Sequence, residues 1–104
     1  MAKDWYVYII KATDGRLYTG VTVDISRRWA EHSGTSGKKD RGAKFFRGRK
    51  PESLEFLKVS ESRSTASKEE SAIKKLKRAQ KMKLISSEKN QLCQYSELLH
   101  FGEH

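Results

Sequence analysis

The sequence predicts an α+β fold: a small antiparallel three-stranded sheet flanked by helices, in the order β-β-α-β-α. Three observations lead there. "WYVYIIK" (5–11) is rich in aromatic and β-branched residues and is followed by an Asp14-Gly15 turn signal and a second short run, "RLYTGV" (16–21), which together read as a hairpin. "ESLEFLKVS" (52–60) alternates as a third strand does. Between and after these runs lie stretches with helical spacing, so short strands and helices mix in one chain of 104 residues, a length that suits one domain.

In the first strand, Tyr6, Tyr8 and Ile10 share one face and Trp5, Val7 and Ile9 the other. In the second, Gly20 weakens the ladder and marks a bulge or a close backbone approach. "DISRRWAEHS" (24–33) reads as a helix, with Asp24 as N-cap and Ile25 and Trp29 as an i,i+4 apolar pair. "GTSGKKDRG" (34–42) is a glycine-rich loop, and "AKFFRGRKP" (43–51) is basic, carries an aromatic pair and has no assigned element. "SRSTASKEESAIKKLKRAQ" (62–80) reads as one long helix with a Ser/Thr-rich cap region, and "KMKLISSEKNQL" (81–92) as a short further helix. Beyond it the chain is acidic and weakly patterned.

The net charge is +9 and unevenly spread: residues 38–50 carry seven basic side chains against one acid, and residues 68–83 carry seven against two. Two basic blocks on a small domain point to a polyanion, most simply nucleic acid. Neither block has the apolar face with aromatic anchors that a membrane surface selects. A single cysteine, Cys93, forms no internal disulfide, and the three histidines show no zinc spacing. The first residues hold no apolar run long enough for a signal peptide or a membrane span, so a cytoplasmic location is expected. No phosphate-loop, nucleophile-elbow or Cys/His pattern is present.

Arg28 and His32 are four apart on the first helix and so share a face, on the side that bears Ile25 and Trp29. On the long helix, Ala66, Ile73 and Leu76 mark the inward side, and both Glu69 and Glu70 border it. The helical wheel does not choose between the two carboxylates, and either can instead pair with Lys74 or Lys75 on a solvated surface.

Taken together, "YVY" (6–8), nine intervening residues and "YTG" (18–20) resemble the paired signature of the GIY-YIG nuclease superfamily. Arg28 and His32 follow Tyr18 by ten and fourteen positions, and "EESAIKKL" resembles the family helix that carries a metal-binding glutamate. There the family places Glu three residues before the Ile-Lys step, which selects Glu70. The chain looks most like the small single-domain bacterial branch and is similar to the nuclease domain of Slx-type structure-specific endonucleases. The similarity spans roughly residues 5–85, which gives a nuclease-like domain at 1–85 and a C-terminal tail of unknown role at 86–104. Tyr6 stands where the family has its first Gly, and Thr19 where it has Ile.

The resemblance implies a metal-dependent endonuclease that hydrolyses phosphodiester bonds in DNA, with branched or damaged DNA and DNA repair within its expected range. Its site would comprise Tyr8, Tyr18, Arg28, His32 and Glu70, with one Mg²⁺ or Mn²⁺ at Glu70 and a tyrosine assisting the attacking water. A tyrosine base needs nearby positive charge to lower its pKa from about 10. Lys44, Arg47, Arg49 and Lys74 are the expected nucleic-acid contacts, and Phe45-Phe46 could stack on an exposed base. The rival expectation is a nucleic-acid-binding module with weak or no catalytic activity.

Overall fold

A computed structural model describes residues 4–33 and 50–92, with the side chains of residues 30–33 outside the described set. Its elements are β1 (Trp5–Ala12), β2 (Leu17–Thr22), α1 (Ile25–Ser33), β3 (Pro51–Ser60), α2 (Arg63–Lys74) and α3 (Arg78–Ile85). The strands form the expected antiparallel three-stranded sheet, with the order β2-β1-β3. The expected 34–42 loop and the Lys44, Arg47, Arg49 and Phe45-Phe46 positions lie outside the described residues.

The hairpin closes because the Gly15 N–H donates to the Ala12 carbonyl at 2.9 Å and Gly15 takes φ +87°, a left-handed value that glycine adopts without strain. Tyr8 pairs with Gly20 and Ile10 with Tyr18 across this hairpin. The two faces of β1 are both buried. Tyr8, Ile10 and Ala12 pack with Ile25 of α1 and Leu57, while Val7 and Ile9 pack with Phe56 and with Ala66 and Ile73 of α2. Thus α1 covers one face, and α2 and α3 cover the other.

Strict alternation in β3 would put Leu54 and Phe56 on one face. Instead the register shifts between Ile9 and Ile10, with Ile9 opposite Phe56 and Ile10 opposite Leu54, so Glu55 is an extra residue in the ladder. The bulge turns Leu54 to the α1 side together with Leu57.

Local chemistry starts each helix. The Asp24 carboxylate accepts from the Arg27 N–H at 3.1 Å, and the Ser62 hydroxyl accepts from the Thr65 N–H at 3.2 Å. The single long helix expected over 62–80 is broken: α2 ends at Lys74, and α3 starts at Arg78 after a Lys77 whose N–H donates to the Gln80 side chain at 3.0 Å. The physical reason is reach. A continuous helix would carry Leu84 about 16 Å beyond Ile73 at about 1.5 Å per residue. The break returns Leu84 and Ile85 to the same apolar cluster as Ile73.

Residues 86–92, expected in the tail, run along the outer side of β3. The Asn90 carboxamide accepts from the Leu57 N–H at 3.2 Å and donates to the Glu55 carbonyl at 2.8 Å. The Gln91 side chain accepts from the Val59 N–H at 2.8 Å, and the Gln91 N–H donates to the Leu57 carbonyl at 2.7 Å. Two side chains and one backbone N–H thereby satisfy the β3 groups that would otherwise face outward.

Candidate nuclease site

The site begins with a missing side chain. Gly20 lies opposite Tyr8, and the Tyr8 ring extends from β1 over it. A Cβ at position 20 would meet the Tyr8 Oη at 2.5 Å, its Cζ at 2.7 Å and the Tyr18 Cε2 at 3.1 Å. The close backbone approach expected at Gly20 is therefore the seat of a tyrosine. The Tyr8 and Tyr18 rings lie 6.2 Å apart, centroid to centroid, with a 43° tilt. Both project on the α1 side of the sheet, and β2, which carries Tyr18 and Gly20, is an edge strand.

Tyr8 is fully buried, whereas Tyr18 is only half-buried. Burial pushes the Tyr8 hydroxyl well above its ordinary pKa, and the neighbouring Tyr18 adds to the rise. Arg28 acts the other way, through a side-chain hydrogen bond and its charge, and the Glu70 carboxylate contributes a last, smaller rise. The net direction is upward, so Tyr8 is a neutral phenol across the ordinary pH range. Arg28 reaches it from the second turn of α1, which Asp24 caps at the end of the β2–α1 connection.

Glu69 and Glu70 separate in the fold. Glu69 lies 3.2 Å from the Lys58 ammonium of β3, on the α2-covered face. Glu70 pairs with Lys74 at 3.4 Å along α2, and its charge is felt at Tyr8. Tyr8, Tyr18 and Arg28 thus meet on the α1 side of the sheet, and Glu70 of α2 is the carboxylate whose charge reaches Tyr8. His32 follows Arg28 by one turn of α1, but its side chain lies outside the described residues. Tyr6 is half-buried against the α1-side cluster.

No group of three or more His, Cys, Asp or Glu able to hold a metal occurs among the described residues. The donor chemistry nevertheless suits a hard divalent cation: Glu70 offers carboxylate oxygens on a side chain 22 % exposed, and Mg²⁺ retains waters and is commonly held by one or two carboxylates plus substrate phosphate. The Lys74 ammonium occupies that carboxylate in the described arrangement, so a cation would compete with it.

Comparison with known proteins places the chain in a family. The family model for the GIY-YIG catalytic domain matches residues 4–83. A UPF0213 protein of Desulfotalea psychrophila is 43% identical over 83 residues, covering 80% of this chain and 72% of the relative. A UPF0213 protein of Natronomonas pharaonis is 42% identical over 88 residues, covering 85% of this chain and 98% of the relative. The solution NMR structure of the UPF0213 protein BH0048 of Bacillus halodurans aligns with a TM-score of 0.52 at 40% identity, covering 83% of this chain and 86% of that one. The matched span holds both tyrosines, the glycine that seats one of them, Arg28 and Glu70, so the chain belongs to the GIY-YIG family, a superfamily of nucleases.

Proposed function

We propose that this domain is a divalent-metal-dependent endonuclease acting on DNA in the cytoplasm. The observation that carries the reading is the meeting of Tyr8, Tyr18 and Arg28 over Gly20, within electrostatic reach of Glu70. In this reading Arg28 holds a non-bridging phosphate oxygen, where its planar fork fits. Tyr8, buried and neutral, acts through the hydrogen bond that aims Arg28. Tyr18, nearer solvent, positions the attacking water. The water oxygen bonds to phosphorus as the bond to the leaving oxygen breaks, and His32 assists the proton transfer. Glu70 holds Mg²⁺ or Mn²⁺, which when bound supplies positive charge against the phosphate. Branched or damaged DNA is within the substrate range of this reading. Among the described residues no helix is long and apolar enough to cross a membrane.

The test is a cleavage panel of duplex, nicked, flapped and branched DNA, with and without Mg²⁺ or Mn²⁺. Wild type is compared with Glu70→Gln and with Glu69→Gln as the neighbouring control. Metal-dependent cleavage that Glu70→Gln removes and Glu69→Gln retains is expected. Absence of metal-dependent cleavage by wild type defeats the reading. The Lys74–Glu70 pair favours a second one, a nucleic-acid-binding module with weak or no turnover, and tight binding without cleavage across the panel identifies it.

A further inference from the structure

A second concave surface lies at the start of β2, on the sheet face opposite the tyrosines. It is a cleft of about 240 Å³ lined by Arg16, Leu17, Arg78 and Lys81. Three of its four lining residues are cationic and none is acidic. The topology assembles them from the residue after the hairpin turn and from the first turn of α3, 62 positions later, so no sequence motif announces the group.

The cations are poorly neutralised. Arg78 spends one Nη1–H on the Gly15 carbonyl at 2.8 Å, which fixes the guanidinium and leaves its other donors. Lys81 is only half-exposed, and among the described residues no carboxylate pairs with it or with Arg78. Asp14 lies 3.8 Å from the Arg16 Nε on an exposed surface where such a pair is weak. Lys11, on the same sheet face, is matched by Glu52 at 2.9 Å and adds nothing to the excess. An ammonium on a half-buried lysine and a braced guanidinium around one cleft suit an anion with several acceptor oxygens.

We propose that the Arg16–Arg78–Lys81 cleft binds a backbone phosphate of the nucleic acid whose scissile bond sits at Tyr18 and Arg28. This rests on the nuclease reading for the choice of anion. Leu17 and Gly20 are three residues apart on β2, about 10 Å at about 3.4 Å per residue. The phosphate held here therefore belongs to a nucleotide near the bond cut, across the β2 edge from Tyr18. The strand then follows the β2 edge from the tyrosines to α3.

The experiment is a salt titration of binding to a fluorescein-labelled DNA duplex without divalent metal. It compares wild type, the Arg16→Ala/Lys81→Ala double variant and Lys89→Ala as a remote basic control, each checked by circular dichroism. Loss of this one phosphate contact makes the slope of log K against log salt shallower by about 0.9, whereas Lys89→Ala leaves it unchanged. Arg16→Glu, at an exposed position, gives the same direction should the double variant fold poorly. In the Mg²⁺ cleavage assay the double variant keeps its rate at saturating DNA and has a raised KM. An unchanged slope with cleavage intact overturns the cleft and leaves the nuclease reading standing. A shallower slope with no wild-type cleavage on any substrate supports the cleft and defeats the nuclease reading. Failure of wild type to bind DNA overturns both.

Discussion

Gly20→Ala tests the packing on which the site is built. The added Cβ would stand 2.5 Å from the Tyr8 Oη and 2.7 Å from its Cζ, distances that atoms do not tolerate. Tyr8 is fully buried and cannot swing into solvent. The ring must shift within a packed core, and overpacking of this kind costs about 1–3 kcal/mol. For a domain near this size each kcal/mol lowers Tm by about 4–8 °C, so a loss of about 2 kcal/mol appears as about 8–16 °C. Thermal and urea unfolding followed by circular dichroism measure it. A cycle with Tyr8→Phe sharpens the test: deleting the hydroxyl removes the closest contact, so the double variant should lose less than the two single losses added together. Additive losses, or a Gly20→Ala protein as stable as wild type, would show that Tyr8 does not rest on Gly20.

Further consequences can be measured in the same way. Tyr8 is held neutral in the fold, with a pKa above its unfolded value of 10.0, so its stabilising contribution is complete below pH 10 and is lost as pH rises past it. Tyr8→Phe should remove up to about 1.4 kcal/mol per pH unit of alkaline destabilisation above pH 10, and urea titrations with parallel pH profiles for both proteins would contradict the burial argument. Thr19 is buried with an Oγ1 that has no hydrogen-bond partner among the described residues, so Thr19→Val should gain about 1 kcal/mol in urea unfolding, and a loss would reveal a partner for the hydroxyl. Asn90→Ala removes side-chain bonds to the Leu57 N–H and to the Glu55 and Ile85 carbonyls, and should lower stability by about 2 kcal/mol or more; a change under 0.5 kcal/mol, on the order of an ordinary surface substitution, would detach residues 86–92 from the fold.

What the sequence made legible was local. The 5–21 hairpin, the Asp24 cap, the Ser/Thr-rich cap region in which Ser62 does the capping, and the Ala66–Ile73 stripe each depend on neighbours within a few residues, and each appears in the structure. The Glu55 bulge was hidden, because alternation in "ESLEFLKVS" is equally consistent with Leu54 on either face until α1 and α2 compete for it. The break at 75–77 was hidden too: "KKLKR" holds good helix formers and neither Gly nor Pro, so only the width of the sheet stops the helix. Around the site, the Tyr8 and Tyr18 spacing was readable, but the separation of Glu69 from Glu70 needed Lys58 on β3, which no helical wheel contains. Arg16 and Lys81 went unremarked as partners because only the hairpin turn and α3 together make them neighbours.

The side chains of Asn90 and Gln91 also decide where the sheet can grow. An outer strand with unsatisfied N–H and C=O groups is a template on which another chain can add. On β3 that template is already filled at Glu55, Leu57 and Val59. Among the described residues nothing pairs outside β2, so any intruding strand, including one from a second copy, must add there. Such an intruder would lie against Tyr18 and Gly20. On the proposed path of the nucleic acid, strand exchange and nucleic-acid engagement would be mutually exclusive uses of one border, and bound nucleic acid would shield the domain from self-association.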